Sequence, residues 1–250
     1  MKRVLFVATV AALLLTPMVA SASLGQRAPV QVRVVTWKGE ILADRPVTAR
    51  TTTVPTSSRA LCFGGKPTNG KRVLEGPTAL GALQRATAGV SGLRPLLLTN
   101  AFDFGLGVCA VGRHAPVDEE WWALSVNGAL SSTGGDSTFL KGGDRVLWYL
   151  DRSFNSPMPE ELRLIAPSSV PRGGSTTLRV LAYDGQGKSR PAPGIRVFVG
   201  PDLAGETDAA GRLTVRITNS TRLVARLPGL IPSNRVAVKV EAAGRAAARR

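Results

Sequence analysis

Residues 119–130 read EEWWALSVNGAL and hold two adjacent tryptophans, Trp121 and Trp122, in a chain that has four. Asn127 and Gly128 tolerate the positive φ angles of a type I′ turn, and an Asn-Gly pair between apolar runs predicts a β-hairpin. Successive side chains of a strand point to opposite faces of the sheet. The two indoles therefore cannot enter the same core, and Trp121 needs a separate explanation.

The segments around this hairpin predict a sheet that packs on one helix. Residues 29–37, PVQVRVVTW, alternate apolar and polar side chains as a half-buried strand does. Residues 76–89 predict a helix with Thr78 as N-cap and Gly89 as its stop. Residues 139–150, FLKGGDRVLWYL, predict a turn and a last strand. The predicted core joins the apolar rows of these elements: Val30, Val32, Val34, Leu80, Leu83, Trp122, Leu124, Val126, Val146 and Trp148.

The opposite face of the predicted sheet carries the alternate rows of the same strands. These rows bring Arg33, Trp37, Trp121 and Tyr149 together if the strands are neighbours. Such an aromatic patch is larger than a soluble monomer usually leaves exposed. Either it binds a ligand, with rings stacking on sugars or other rings and Arg33 contacting an anionic group, or another part of the chain covers it. The second domain and the loop 40–72 are the two candidates for that cover.

The second half of the chain has a different pattern. A stretch rich in Pro and polar residues, 153–160, is the predicted linker. In residues 161–241, short β-type runs recur every ten or so residues between Gly, Pro, Asp and Asn. This spacing predicts an antiparallel β-sandwich of immunoglobulin type. The predicted fold class is thus α+β followed by all-β, with a basic tail over 242–250.

The first residues predict export. A Met-Lys-Arg start precedes an apolar run, and Ala20-Ser21-Ala22 matches a signal-peptidase site, so residues 1–22 are the predicted signal peptide. No later apolar run is long enough for a membrane span. We therefore expect a secreted or extracellular protein associated with the cell envelope.

Export bears on the two cysteines, Cys62 and Cys109. An oxidising compartment favours a disulfide between them, and the pair leaves no odd thiol. Two buried free thiols are the alternative. A zinc site is not expected, because two cysteines and one histidine lack the spacing of a tetrahedral ligand set.

The net charge is +15, but its arginines are scattered singly through strand-like segments. No dense basic stripe or nucleic-acid motif is present, so nucleic acid is not an expected partner. The charge fits either a solvated arginine-rich surface or a salt-dependent attraction to anionic envelope polymers.

The sequence offers little for catalysis. The sole histidine, His114, lies in a polar loop, and the adjacent carboxylates Asp118, Glu119 and Glu120 are typical of a solvated strand entry. No nucleophile elbow, zincin or phosphate-loop signature is present. We expect neither an enzyme nor a metal site.

Four motifs carry a resemblance to a known family. In order they are TALGALQRA (78–86), FGLGVCAVG (104–112), WWALSVNG (121–128) and FLKGGDRVLWYL (139–150). Together they resemble the transcobalamin-like C-terminal domain family, a β-grasp module of bacterial exported and surface proteins, over residues 29–152. The segment TDAAGRLTVRI resembles the immunoglobulin-like modules appended to such proteins.

The resemblance implies a binding function. In transcobalamin and intrinsic factor the related domain closes over cobalamin together with a large helical domain, which this sequence does not contain. Cobalamin is therefore a minor alternative, and no other cofactor is expected. The expected function is a non-catalytic envelope binding protein that presents its aromatic sheet face to a small molecule or an envelope glycan. The alternative is a structural or adhesion-like protein whose modules contact other surface proteins.

Overall fold

The computed structural model describes residues 26–241. The predicted signal peptide and the predicted basic tail lie outside the described residues. Within this range the protein is mostly β, with several sheets and one α-helix. No helix of residues 26–241 has the length and apolar character needed to cross a membrane.

The first half of the chain contains nine strands and the helix. Their bounds are β1 (Ala28–Thr36), β2 (Ile41–Ala49), β3 (Thr52–Thr56), β4 (Gly70–Leu74), α1 (Ala79–Ala88), β5 (Leu96–Phe102), β6 (Gly105–Val111), β7 (Trp121–Val126), β8 (Ala129–Leu130) and β9 (Arg145–Asp151). A central sheet has the order β2-β1-β9-β7-β8, and β3-β4 and β5-β6 form two separate hairpins. Strand β9 runs parallel to β1 and antiparallel to β7, so the first and last strands of this half lie side by side in the middle of the sheet.

The predicted turn and helix signals are confirmed. Asn127 and Gly128 have φ angles of 57° and 88°, as the tight hairpin turn requires. The Thr78 hydroxyl accepts a hydrogen bond from the Gly81 N–H at 3.1 Å, and Gly89 is the C-cap of α1.

One face of the central sheet packs on α1. The predicted core residues lie together in this cluster, with Val32, Val34, Leu80 and Leu83 completely buried and Val126 partly buried at its border. Side chains of equal parity in paired strands share a face, so the two-residue period of β1, β7 and β9 selects this set.

The second half contains nine strands in two sheets. Their bounds are β10 (Glu161–Ile165), β11 (Ser169–Pro171), β12 (Ser175–Tyr183), β13 (Ser189–Pro191), β14 (Arg196–Val199), β15 (Asp202–Glu206), β16 (Arg212–Arg216), β17 (Thr221–Arg226) and β18 (Val236–Glu241). One sheet joins β10, β12, β13 and β16, and the other has the order β11-β18-β17-β14-β15. A separate apolar cluster that includes Leu162, Leu178 and Leu223 lies within this half.

The second half covers the other face of the central sheet, and we call this contact the seam. Val35, Leu147 and Tyr149 of the sheet pack there against Val224 and Ile231. The turn after β7 adds backbone pairing, because the Leu130 N–H donates to the Gly185 carbonyl at 2.7 Å and the Gly187 N–H to the Gly128 carbonyl at 3.1 Å. The two halves are therefore fixed against each other by apolar and polar contacts.

Candidate ligand-binding site

Two of the four predicted ligand residues, Arg33 and Tyr149, lie in the seam. Each is only 5% exposed. The Arg33 guanidinium forms an ion pair with Glu161 and donates to the Leu162 carbonyl at 3.3 Å. Burial, with a contribution from the nearby Asp151 charge, raises the pKa of Tyr149 to about 12. Neither side chain is open to a ligand from solvent.

Trp37 and Trp121 do not belong to the apolar cluster of the seam as the described residues form it. Trp37 follows the end of β1 and is 37% exposed, with the Lys38 ammonium 5.0 Å and the Arg152 guanidinium 4.9 Å from its ring centroid. Trp121 stands at the start of β7 and stacks on Phe154 at 5.0 Å between ring centroids. The continuous aromatic face expected from the strand rows is thus not exposed: the second half covers its centre.

Trp121 instead lines a cavity of about 390 Å³ at one end of the central sheet, which we call the aromatic cavity. Its walls come from β5, β6, β7, β9 and three loops. The lining residues are Phe63, Phe102, Phe104, Leu106, Gly107, Val108, Trp121, Trp122, Leu124, Ser131, Thr133, Gly134, Gly135, Trp148 and Phe154. Seven of these fifteen are aromatic, and none is charged.

The mouth of the aromatic cavity is a row of five rings. Phe104 stacks on Phe102 at 4.9 Å, Phe102 contacts Phe63 at 6.1 Å, and Phe63 contacts Phe154 at 5.4 Å. Trp121 closes the row on Phe154. Phe104 is 81% exposed although it is a large apolar side chain. Exposed rings gathered at one opening are typical of a binding surface.

Two buried tryptophans, Trp122 and Trp148, lie among the residues that line the cavity. Trp122 and Trp148 are 5% and 3% exposed. Their indole nitrogens and that of Trp121 are buried without a hydrogen-bond acceptor within the described part of the chain. Buried N–H groups normally have a partner, so three unpaired indoles around one cavity are unusual.

Three local features hold the cavity walls in place. The disulfide between Cys62 and Cys109, which the sequence predicted and the structure confirms, ties the loop that carries Phe63 to β6. Gly135 lets its loop approach the sheet closely, since a Cβ there would lie 2.6 Å from the Trp148 ring. Asp136 fixes the same loop to β6 by accepting from the Leu106 N–H at 3.0 Å.

Sequence reasoning missed the phenylalanines of this site. Phe63, Phe104 and Phe154 lie in loops or turns, where strand periodicity says nothing about direction. The available signal was AFDFG at 101–105, which places two rings on one tight turn where polar residues are usual.

The comparisons with known proteins cover part of this site. A family model described as a domain of unknown function, DUF4430, matches residues 111–152. DUF4430 is a transcobalamin-like domain family, which agrees with the resemblance over that segment. The three tryptophans that line the cavity, Trp121, Trp122 and Trp148, fall within the matched range. A comparison of the chain with curated proteins found no match.

Proposed function

We propose that this protein is a non-catalytic, exported binding protein of the cell envelope, and that its aromatic cavity takes up a small uncharged molecule with a flat ring. The observation that carries the proposal is the set of seven aromatic side chains that line one cavity, with no charged residue among the described residues of the lining. Export rests on the signal-like residues 1–22.

The composition of the walls supports this ligand class. A cavity of about 390 Å³ falls in the range of small-molecule sites, which are lined mainly by apolar and aromatic side chains. A charged ligand would lose its hydration without gaining an ionic partner. Only Ser131 and Thr133 bring side-chain hydroxyls to the lining, fewer polar groups than a glycan with many hydroxyls would use. An apolar ring with one or two acceptors fits best.

The architecture supports a binding module of known type. The central sheet with α1 on one face is consistent with the β-grasp arrangement proposed for residues 29–152. The two packed sheets of the second half are consistent with an immunoglobulin-like module over residues 161–241. The DUF4430 match favours the first of these proposals.

The second candidate function is contact with another surface protein. It is favoured by the exposure of Phe104, Phe154 and Phe63 at the mouth, which a partner's side chain could cover. The same rings would then act as an adhesive patch, and the cavity would receive one apolar residue of the partner.

A fluorescence titration of the mature chain tests the proposal. The probe is N-phenyl-1-naphthylamine, an uncharged aromatic compound whose emission rises in apolar surroundings. We expect saturable binding that Phe104→Ser weakens severalfold and Trp121→Ala weakens further. Phe139→Ser is the matched control, because Phe139 is 57% exposed and lies outside the cavity.

Two outcomes would count against the proposal. Binding that Phe104→Ser and Phe139→Ser reduce equally would place the probe elsewhere on the surface. No saturable binding of the probe, together with capture of a purified envelope protein that Phe104→Ser abolishes, would favour the adhesive function. Competition by cobalamin in the same titration measures whether the family ligand enters this site.

A further inference from the structure

A second opening lies where the two halves meet, and we call it the seam cleft. Its volume is about 310 Å³. Trp37 and Lys38 line it from the turn after β1, and Arg196, Phe198 and Arg226 line it from β14 and β17. It shares no lining residue with the aromatic cavity.

The arginines of the seam cleft are arranged unfavourably for a protein without a ligand. Arg196 and Arg226 are direct partners across the antiparallel pair β14–β17. Like charges directly opposite each other in a sheet are destabilising. Glu206 offsets Arg196 with an ion pair of 3.3 Å, whereas Arg226 has no ion pair within residues 26–241. Within the described part of the chain, the positive charge of Arg226 therefore lacks an ionic partner.

Two further cations contact Trp37, and one of them, Lys38, lines the cleft. Lys38 and Arg152 lie over the ring of Trp37, and neither forms an ion pair among the described residues. No carboxylate is among the residues that line the cleft. The cleft thus gathers positive charge beside exposed aromatic surface, in contrast to the uncharged aromatic cavity.

We infer that the seam cleft binds an anionic saccharide, a sugar that carries a carboxylate or a phosphate. A guanidinium donates parallel hydrogen bonds to the oxygens of such a group, and Arg226 has no carboxylate partner among residues 26–241. Trp37, which is 37% exposed, and Phe198 line the cleft and offer apolar surface beside the charged groups. An anion there also relieves the repulsion between Arg226 and Arg196.

The site depends on contributions from both halves of the chain. Trp37 and Lys38 come from the first half, and the arginines come from the second. A ligand that contacts both therefore favours the docked arrangement over any open one, since binding stabilises the state that holds the complete site. The cleft would attach the protein to an acidic envelope polymer while the aromatic cavity stays open.

Isothermal titration calorimetry of the mature chain with three probes tests the inference. Oligogalacturonate carries the sugar and the charge, its methyl-esterified form carries the sugar alone, and inorganic polyphosphate carries charge alone. We expect oligogalacturonate to bind in a salt-dependent manner and the methyl ester to bind at least about tenfold more weakly. Glucose 6-phosphate, titrated separately, shows whether a phosphate on the sugar replaces the carboxylate.

The variants locate the site. Arg226→Gln and Trp37→Ala should each weaken oligogalacturonate binding about tenfold. The first removes the contact with the carboxylate, and the second removes apolar surface that contacts the sugar. Arg212→Gln removes the same charge from an exposed strand position outside the cleft and should change binding less than about twofold. Equal losses in Arg226→Gln and Arg212→Gln, or polyphosphate binding as tightly as oligogalacturonate, would show attraction by net charge and overturn the inference. The aromatic probe should bind Arg226→Gln normally, so a failure here is separate from a failure of the proposed function.

Discussion

The two faces of the central sheet are closed in different ways. On one face, α1 and the flanking loops cover an apolar set that includes Val32, Leu83 and Trp148. On the other face, the second half of the chain covers Tyr149 and a charged residue, Arg33, which is paired with Glu161. An apolar row of side chains predicts a buried face. A row that contains an arginine and a tyrosine predicts a face exposed to solvent. The difference shows that a contact between the two halves of the chain can bury groups that sequence patterns assign to solvent.

The largest expected effect tests the helix face. Trp122→Ala should lower the free energy of unfolding by about 4 kcal/mol, because it removes a large buried side chain and leaves a cavity. Chemical denaturation monitored by circular dichroism measures the loss. Trp37→Ala, at a partly exposed indole, should cost much less. Equal losses in the two variants would mean that the helix face is not the main core.

The next prediction tests the seam. Glu161→Gln leaves the Arg33 guanidinium buried without its ionic partner, and it should cost about 3 kcal/mol. The adjacent Glu160→Gln is the control, since Glu160 pairs with Arg190 at the surface and such pairs contribute about 1 kcal/mol or less.

A double variant sharpens the same comparison. Arg33→Met combined with Glu161→Leu removes both buried charges and should recover most of the stability lost in Glu161→Gln. A loss in Glu161→Gln no greater than that in Glu160→Gln would indicate that the seam is open to water in solution.

These two faces also show what the sequence can predict. The buried faces of the strands and of α1 could be predicted from the two-residue period of a strand and the 3.6-residue period of a helix. The disulfide could be predicted from the expected export and the even number of cysteines. The role of Arg33 could not, because its partner Glu161 lies 128 residues away and belongs to a surface that forms only when the halves dock. Phe63 and Phe154 were missed for a different reason: side chains in loops follow no periodic pattern, so only the folded chain shows that their rings meet.

A smaller effect is expected at the turn that joins the sheet to the second half. Gly128 has a φ angle of 88°, and a Cβ there would lie 2.2 Å from the Tyr183 ring. Gly128→Ala should cost about 2 kcal/mol, from backbone strain and from displacement of that ring. Gly143→Ala is the matched control, with a φ angle of 90° and no atom within 4 Å of the added Cβ. Thermal unfolding of both variants isolates the contact with Tyr183, and identical losses would show that only strain matters.

The smallest expected effect is a difference in pKa between the two tyrosines of the chain, Tyr149 and Tyr183. Burial in the seam, with a contribution from the charge of Asp151, raises the pKa of Tyr149 to about 12. Desolvation also acts on Tyr183, but the hydrogen bond from Arg163 and the charges of Arg145 and Arg163 outweigh it, so the pKa of Tyr183 lies below its usual value. The two phenols should therefore ionise in two separate steps.

Absorbance of tyrosinate during an alkaline titration measures these steps. Tyr183→Phe should remove the lower step and Tyr149→Phe the upper one. Tyr149 and Tyr183 make the free energy of unfolding depend on pH in opposite directions. A raised pKa means that the stability contributed by Tyr149 is complete below pH 10 and is lost as the pH rises through about 12. The lowered pKa of Tyr183 means that its contribution is present above its unfolded pKa and is lost as the pH falls through its folded pKa. Ionisation of both phenols in one step near their usual pKa would mean that Tyr149 is in contact with water and that the second face of the sheet is not closed.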